Sequence, residues 1–201
     1  MPRVSRAETE KNRAAIERAS SQLIRERGLG VSVADLMGAA GLTHGGFYGH
    51  FQSKDELKAI ACASALAESA ERWKKRMAKK DPEQARAALV EGYLTERNRS
   101  APGTGCPLAA LAVDVAREER GKPVRAAFND GLEQLIELLT ATQPCALDEA
   151  ARRSGALAQM ATLVGAMVLA RATSDSPLSD ELLAAARENL LGSTADTHPD
   201  L

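Results

Sequence analysis

The stretch "LTHGGFYGHFQSKDEL", from Leu42 to Leu57, gathers the side chains in this sequence best suited to meet an anion. Tyr48 and His50 carry donors suited to phosphate oxygens, and Lys54 adds a charge close by. Phe47, Tyr48 and Phe51 fall together here although the whole chain holds only one Trp, two Tyr and three Phe. Gly45, Gly46 and Gly49 lie among them. Each glycine in a helix costs roughly 1 kcal/mol relative to alanine, so local stability does not explain three of them. Glycine suits a place where another surface must approach the backbone closely, and the major groove of DNA is such a surface.

The flanking residues supply elements that would hold this stretch in place. An apolar face of Ile16, Ala19, Leu23 and Ile24 predicts a helix from about Thr9 to Arg27 that stops at Gly28. Ser32 is placed to cap a short second helix with Val33, Leu36, Met37 and Ala40 as its apolar stripe, ended by Gly41. Thr43 can cap a third helix near 44–50, and Ser53 with Glu56 forms a capping box for a long fourth helix toward Lys80. Two short helices joined by "GLT" have the form of a helix-turn-helix. Phe47 and Phe51, four positions apart, share a face that anchors the third helix to the first two, leaving Tyr48 and His50 to point elsewhere. The plainer alternative makes Tyr48 and His50 ordinary surface residues of a small helical domain.

From about residue 9 to 58 the sequence closely resembles the DNA-binding domain of the tetracycline-repressor (TetR) family of bacterial transcription regulators. The recurring segment "T-x-G-x-F-Y-x-H-F-x-S-K-x-x-L" of that family is met by Thr43, Gly45, Phe47, Tyr48, His50, Phe51, Ser53, Lys54 and Leu57. Position by position, the resemblance implies that Thr43, Tyr48, His50 and Lys54 contact phosphate while His44, Gly45 and Gly46 face bases. Gly49 stands where other members carry a bulky side chain. Base reading then rests more heavily on His44, on the surface of the second helix, where Ser32 is taken as a DNA contact, and on the basic N-terminal arm.

Composition is compatible with this reading and excludes several others. The net charge of −1 demands neither nucleic acid nor membrane. Charge is unevenly spread, however: Arg3, Arg6, Lys11, Arg13, Arg18, Arg25 and Arg27 face only four glutamates within residues 1–30. Cys62, Cys106 and Cys145 are odd in number and widely spaced, which argues against a disulfide framework and for a reducing, cytoplasmic setting. No apolar signal core is evident at the N-terminus. The uncharged run from Ser154 to Ala170 reads as too short and too mixed to span a bilayer, so no membrane partner is expected.

The rest of the chain reads as helix throughout, near 83–98, 106–119, 122–142, 147–173 and 178–192, with "RSAPGTG" at 99–105 as the clear interior loop. Pro82, Pro107, Pro123 and Pro177 each precede a helical pattern. The expected fold is therefore all-α with about nine helices: a helix-turn-helix DNA-binding domain over 1–58, a ligand-binding and dimerisation domain over 59–192, and a frayed tail over 193–201. In the TetR family the last two helices pair with those of a second subunit. Residues 154–170 suit that role, being apolar nearly all round, with Gly155, Ala158, Gly165 and Ala166 small enough for close approach. The final helix adds Leu178, Leu182, Leu183, Leu190 and Leu191. A buried central helix in a monomer is the alternative.

Two further features carry chemistry. "ERWKKRMAKK" at 71–80 has the charge of a nucleic-acid patch, but such a run is more often the solvated end of a long helix. Cys106 follows "PGTG" and precedes Pro107, which puts it at a helix N-cap where the dipole and unbonded N–H groups favour thiolate. "GCPLAAL" also resembles the same junction in repressors of N-ethylmaleimide-type reductases, relatives in which a cysteine senses electrophiles. A small packed cap residue is the competing reading of Cys106.

An enzyme would need machinery that is missing: no phosphate loop, nucleotide fingerprint or metal-spaced His/Cys cluster occurs, and His198 stands alone in the tail. No cofactor is implied. A helical interaction module without DNA binding would leave the glycine-rich segment unexplained. The sequence thus points to a homodimeric regulator, most simply a repressor, that leaves an inverted-repeat operator when a small-molecule or thiol-reactive effector binds. A purely non-covalent apolar effector, with no cysteine sensing, is the second form of that reading.

Overall fold

A computed structural model describes residues 6–192, with the side chain of Arg6 excepted. The arm residue Arg3, the tail over 193–201 and His198 lie outside the described residues. Every regular element among the described residues is helical: α1 (Arg6–Arg27), α2 (Val33–Ala39), a 3₁₀ turn (His44–Gly49), α3 (Lys54–Met77), α4 (Pro82–Tyr93), α5 (Glu96–Ser100), α6 (Pro107–Arg117), α7 (Pro123–Thr140), α8 (Glu149–Ala172) and α9 (Leu178–Leu191). The all-α expectation holds. Punctuation follows the prolines and glycines: Pro82 and Pro107 open α4 and α6, and Gly28 and Gly41 take φ of +80° and +73° after α1 and α2.

Three boundaries differ from those expected. The segment expected as an α-helix near 44–50 is a 3₁₀ turn, and Thr43, though in N-cap backbone geometry, makes no side-chain capping bond. Three glycines in six residues give too little helical preference to complete an α-helical ladder. The helix expected over 83–98 is broken into α4 and α5, so Arg99 and Ser100 are helical rather than part of the loop. Thr95 turns extended and accepts from the Asn98 N–H at 3.1 Å, while the Asn98 amide donates to the Tyr93 carbonyl at 2.8 Å and Arg187 to that of Leu94. These side-chain partners satisfy the broken ladder, so the break costs little. Finally, α3 stops at Met77, three residues short of Lys80, where Lys79 adopts a φ of +63°.

The chain forms two compact units. One runs to Ser69 and includes Pro102–Glu133; the other comprises Ala70–Ala101 and the chain from Gln134 on. In the first unit α1 packs against α2 and α6, and Ile16, Ile24, Leu36, Met37, Phe47, Leu57 and Leu111 are wholly buried. Full burial of each such side chain stabilises by roughly 1.5–3 kcal/mol. This is the core that carries the 3₁₀ turn. In the second unit α9 packs on α8 and α4, and α5 on α8. Trp73 is buried there, edge-on to Tyr93 at 6.2 Å, while the basic residues around it are exposed along the end of α3.

Helix α8 has the length and apolarity to cross a bilayer, with 24 residues and an 18-residue window of mean hydropathy 1.4, which corrects the expectation drawn from the Ser154–Ala170 run. Its apolarity has an internal use. Ala156, Gln159, Met160, Leu163, Ala166, Met167 and Ala170 form one buried face, and Gln159 accepts a hydrogen bond from Gln143 at 3.0 Å within it.

Candidate nucleic-acid interface

The interface is built on two rings turned inward. Phe47 and Phe51 are buried, with ring centroids 5.7 Å apart, in a turn that packs against α2. Everything between them on the other side is open. Thr43, His44, Gly45, Gly46, Tyr48 and Gly49 are exposed, and Tyr48 is 76% accessible, its ring edge-on to Phe47 at 5.2 Å. A Cβ on Gly45 or Gly49 would meet nothing within 4 Å, and one on Gly46 only the tip of Met37 at 3.7 Å. The glycines are therefore not required by packing inside the chain. They leave a bare strip of backbone facing solvent.

The flanks of the turn are tied down by carboxylates. Glu56 accepts from the Gln52 N–H at 2.6 Å, and the Ser53 hydroxyl accepts from the Glu56 N–H at 3.1 Å. The capping box thus reaches one residue further back than expected, to Gln52. Ser32 does cap α2, and its partner is Asp35: the hydroxyl accepts from the Asp35 N–H at 3.1 Å and donates to Oδ2 at 2.5 Å. The hydroxyl bond, with a second from the Ser32 N–H at 3.2 Å, holds the Asp35 carboxyl below its ordinary range, and the charges of Arg27 and Lys54 add to the effect. The Ser32 hydroxyl hydrogen is spent on Asp35, which leaves that residue a capping role and only acceptor capacity for an outside group.

Lys54 is half-buried, with Nζ 3.5 Å from the Gly30 carbonyl, a contact too long to hold the ammonium firmly. His50 closes the 3₁₀ turn, with its Nδ1 buried and without a hydrogen-bond partner. Of the seven basic residues counted within residues 1–30, two are turned inward. Arg25 is 6% accessible and pairs with Glu68 at 3.2 Å. Arg13 lies over the Phe51 ring, 4.5 Å from its centroid, and donates to the His50 carbonyl. Neither role is visible in the sequence, because the partners lie 43 and 37 positions away.

The remaining candidates lie elsewhere. Cys106 is the N-cap of α6, as expected, and it is buried, at 3% accessibility. Cys62 is buried as well, which pushes its thiol up to about 12, whereas Cys145 is exposed. Among the dimer candidates, Ala158 is exposed, Gly155, Gly165 and Leu182 are half-buried, and Leu183 is already buried within its own chain. Gly155 is held close to Gln143, whose Oε1 would lie 2.7 Å from an added Cβ. Among the described residues no His, Cys, Asp and Glu side chains gather in a group able to hold a metal ion.

Residues 16–59 match the family described as bacterial regulatory proteins, tetR family. No curated protein matches the chain. Among solved structures the fold is similar to that of NemR from E. coli in its reduced form, at 19% identity over 91% of this chain and 96% of that one, with a TM-score of 0.76. A TetR-family regulator from Chloroflexus aurantiacus is similar at 22% identity, 92% and 94% coverage and a TM-score of 0.75. Another from Agrobacterium tumefaciens stands at 23% identity, 91% and 97% coverage and a TM-score of 0.72. At such identities the likeness to solved structures establishes the fold. Residues 16–59 are thus similar in sequence to the tetR family of bacterial regulatory proteins, and over nearly its whole length the chain has the fold of these solved structures.

Proposed function

We propose that this protein is a homodimeric repressor that reads an inverted-repeat operator with the 3₁₀ turn at 44–49 and is released by a small-molecule effector. The observation that carries the reading is the bare glycine strip at Gly45, Gly46 and Gly49, exposed above buried Phe47 and Phe51. Such a strip lets base edges come close to the backbone, with His44 as the side chain among them. Thr43, Tyr48, His50 and Lys54 surround it as phosphate donors. Burial of Nδ1 leaves Nε2 of His50 as the ring atom for that contact. Residues 1–58 would form the DNA reader, and residues 59–192 would carry the effector site and the subunit interface. The cytoplasm is the setting this activity requires.

Dimerisation is supported by the outward side of α8, where Leu157, Ala158, Ala161 and Leu169 are exposed and Val164, Gly165 and Val168 half-buried, continued by Leu178 and Leu182 of α9. The effector is non-covalent in the reading we favour, because burial of Cys106 shields its sulfur from reagents in solution. Cysteine sensing is the second reading. It rests on the N-cap position of Cys106 and requires α6 to open at that end.

Selection from random duplex DNA tests the proposal. A palindromic consensus with half-site centres ~34–36 Å apart, or a multiple of that, is expected. Its absence, or binding that ignores sequence, would overturn the reading.

A further inference from the structure

The 3₁₀ turn has little intrinsic preference for its own shape. At its two ends the Gly46 N–H donates to the Thr43 carbonyl at 3.1 Å, and the His50 and Phe51 N–H groups share the Phe47 carbonyl at 2.9 and 3.0 Å. Half of its residues are glycine, which resists ordering more than any other residue. Something outside the turn must fix its exit, and one side chain of α1 reaches it. The Arg13 guanidinium is engaged on every side. Nε donates to Glu17 at 3.0 Å, Nη1 donates to the His50 carbonyl, Nη2 lies 3.6 Å from Glu56, and the plane covers Phe51 at 4.5 Å from the ring centroid. Glu56 in turn holds the Gln52 N–H.

We infer that Arg13 is a positioning residue for DNA reading: it clamps the exit of the 3₁₀ turn to α1 and α3, and its charge is used inside the protein rather than on a phosphate. Two carboxylates within ion-pair reach offset that charge before any DNA arrives. The planar fork is what the place requires, since a lysine ammonium cannot serve a carbonyl, two carboxylates and a ring face together. A basic residue at the head of a DNA-binding domain thus acts by geometry. The inference rests on the DNA-reading function proposed above for its binding arm, but the clamp itself can be observed without DNA.

The test compares wild type, Arg13→Lys, Arg13→Ala and Lys54→Ala, each first shown to fold by circular dichroism and thermal melting. Binding to the selected operator and to random duplex is measured over a range of salt concentrations. Both Arg13 variants should lose operator affinity by about tenfold or more while keeping the wild-type salt slope and random-duplex affinity, as expected when no phosphate contact is lost. Lys54→Ala should weaken binding to both duplexes and flatten the slope. Full operator affinity in Arg13→Lys, or a flattened slope in either Arg13 variant, overturns the inference. Amide hydrogen exchange of the DNA-free proteins gives the second arm: exchange at Gly49, His50 and Phe51 should quicken about tenfold or more in Arg13→Lys, and unchanged exchange there also overturns it. Should wild type select no palindrome, the proposed function fails and the exchange arm alone judges the clamp. If Arg13→Ala does not fold, Arg13→Lys carries both arms.

Discussion

Asp114 Oδ2 accepts a hydrogen bond from the Leu29 N–H at 2.7 Å, joining α6 to the turn after α1 across 85 positions of sequence. The bond exists because Gly28 has no side chain. A Cβ there would stand 2.3 Å from the same carboxylate oxygen, and the backbone at Gly28 has a φ of +80° that other residues rarely adopt. Gly28→Ala should therefore destabilise the protein by about 2–4 kcal/mol, combining left-handed strain with loss of the Asp114 bond. Gly45→Ala has neither problem, since its φ is ordinary and the space is open. Its stability should stay within about 0.5 kcal/mol of wild type, while operator binding falls. Urea unfolding and DNA titration of the two variants separate a glycine required by the fold from one kept for a partner. Comparable stability losses in both would contradict this division.

Thiol chemistry should follow burial rather than cap position. Cys145 is exposed, while Cys62 and Cys106 are buried. A disulfide reagent such as Ellman's should modify Cys145 at once and leave the other two until denaturant is added. In Cys145→Ser the fast phase should vanish. A fast phase surviving in that variant and lost in Cys106→Ser would instead show that the α6 N-terminus opens readily, and would raise cysteine sensing above a non-covalent effector.

Legibility in the sequence tracks the range of the interaction. Ser32 as cap, Gly28 and Gly41 as stops, and Phe47 and Phe51 as anchors were all readable, because their partners lie within a few residues or follow from side-chain period. The 3₁₀ form of the turn was less so: the glycines advertised weak helical preference, which argues against an α-helix without naming what replaces it. The break at Leu94 and Thr95 was hidden, since it is offset partly by Arg187, 93 positions away. Arg13 misled most. In the sequence it counted only toward the basic excess of residues 1–30, whereas Glu17, Glu56 and His50 occupy its donors.

Acid should loosen the first turn of α3 where it meets the segment before α7. Lys122 donates to Asp55 at 2.8 Å, and this bond holds the Asp55 carboxyl below its ordinary range. A carboxylate lowered in the folded state adds stability above its unfolded pKa of ~3.9, and that stability is lost as pH falls through the folded value. The Lys122 ammonium is raised by the same bond, so its share would be lost only in strong alkali, as pH passes its folded pKa. Both side chains are about a third accessible, so the effect is small. Wild type should nonetheless be more stable than Asp55→Asn near neutrality and lose that advantage below about pH 4. A difference independent of pH would assign the effect to packing rather than charge.

The subunit interface is best tested where the chain itself has room. An added Cβ on Gly165 would meet nothing within 4 Å, unlike Gly131, where it would lie 2.5 Å from Leu66 Cβ. A large side chain at Gly165 therefore costs the isolated fold only helix-surface adjustments, whereas one at Gly131 forces the core apart. If α8 pairs closely with α8 of a second copy, a charge at Gly165 must be buried without a partner at the joint, a penalty of several kcal/mol. Gly165→Arg should then give a folded monomer or a weakened dimer, read by analytical ultracentrifugation. Operator affinity should fall steeply although the 3₁₀ turn is untouched, because two linked half-site contacts become one. Leu157→Glu on the same exposed side should behave alike. Leu183→Ala, already buried within its own chain, should lower stability while leaving the dimer's concentration dependence largely as it was. A Gly165→Arg protein that remains a tight dimer would move the interface off this side of α8.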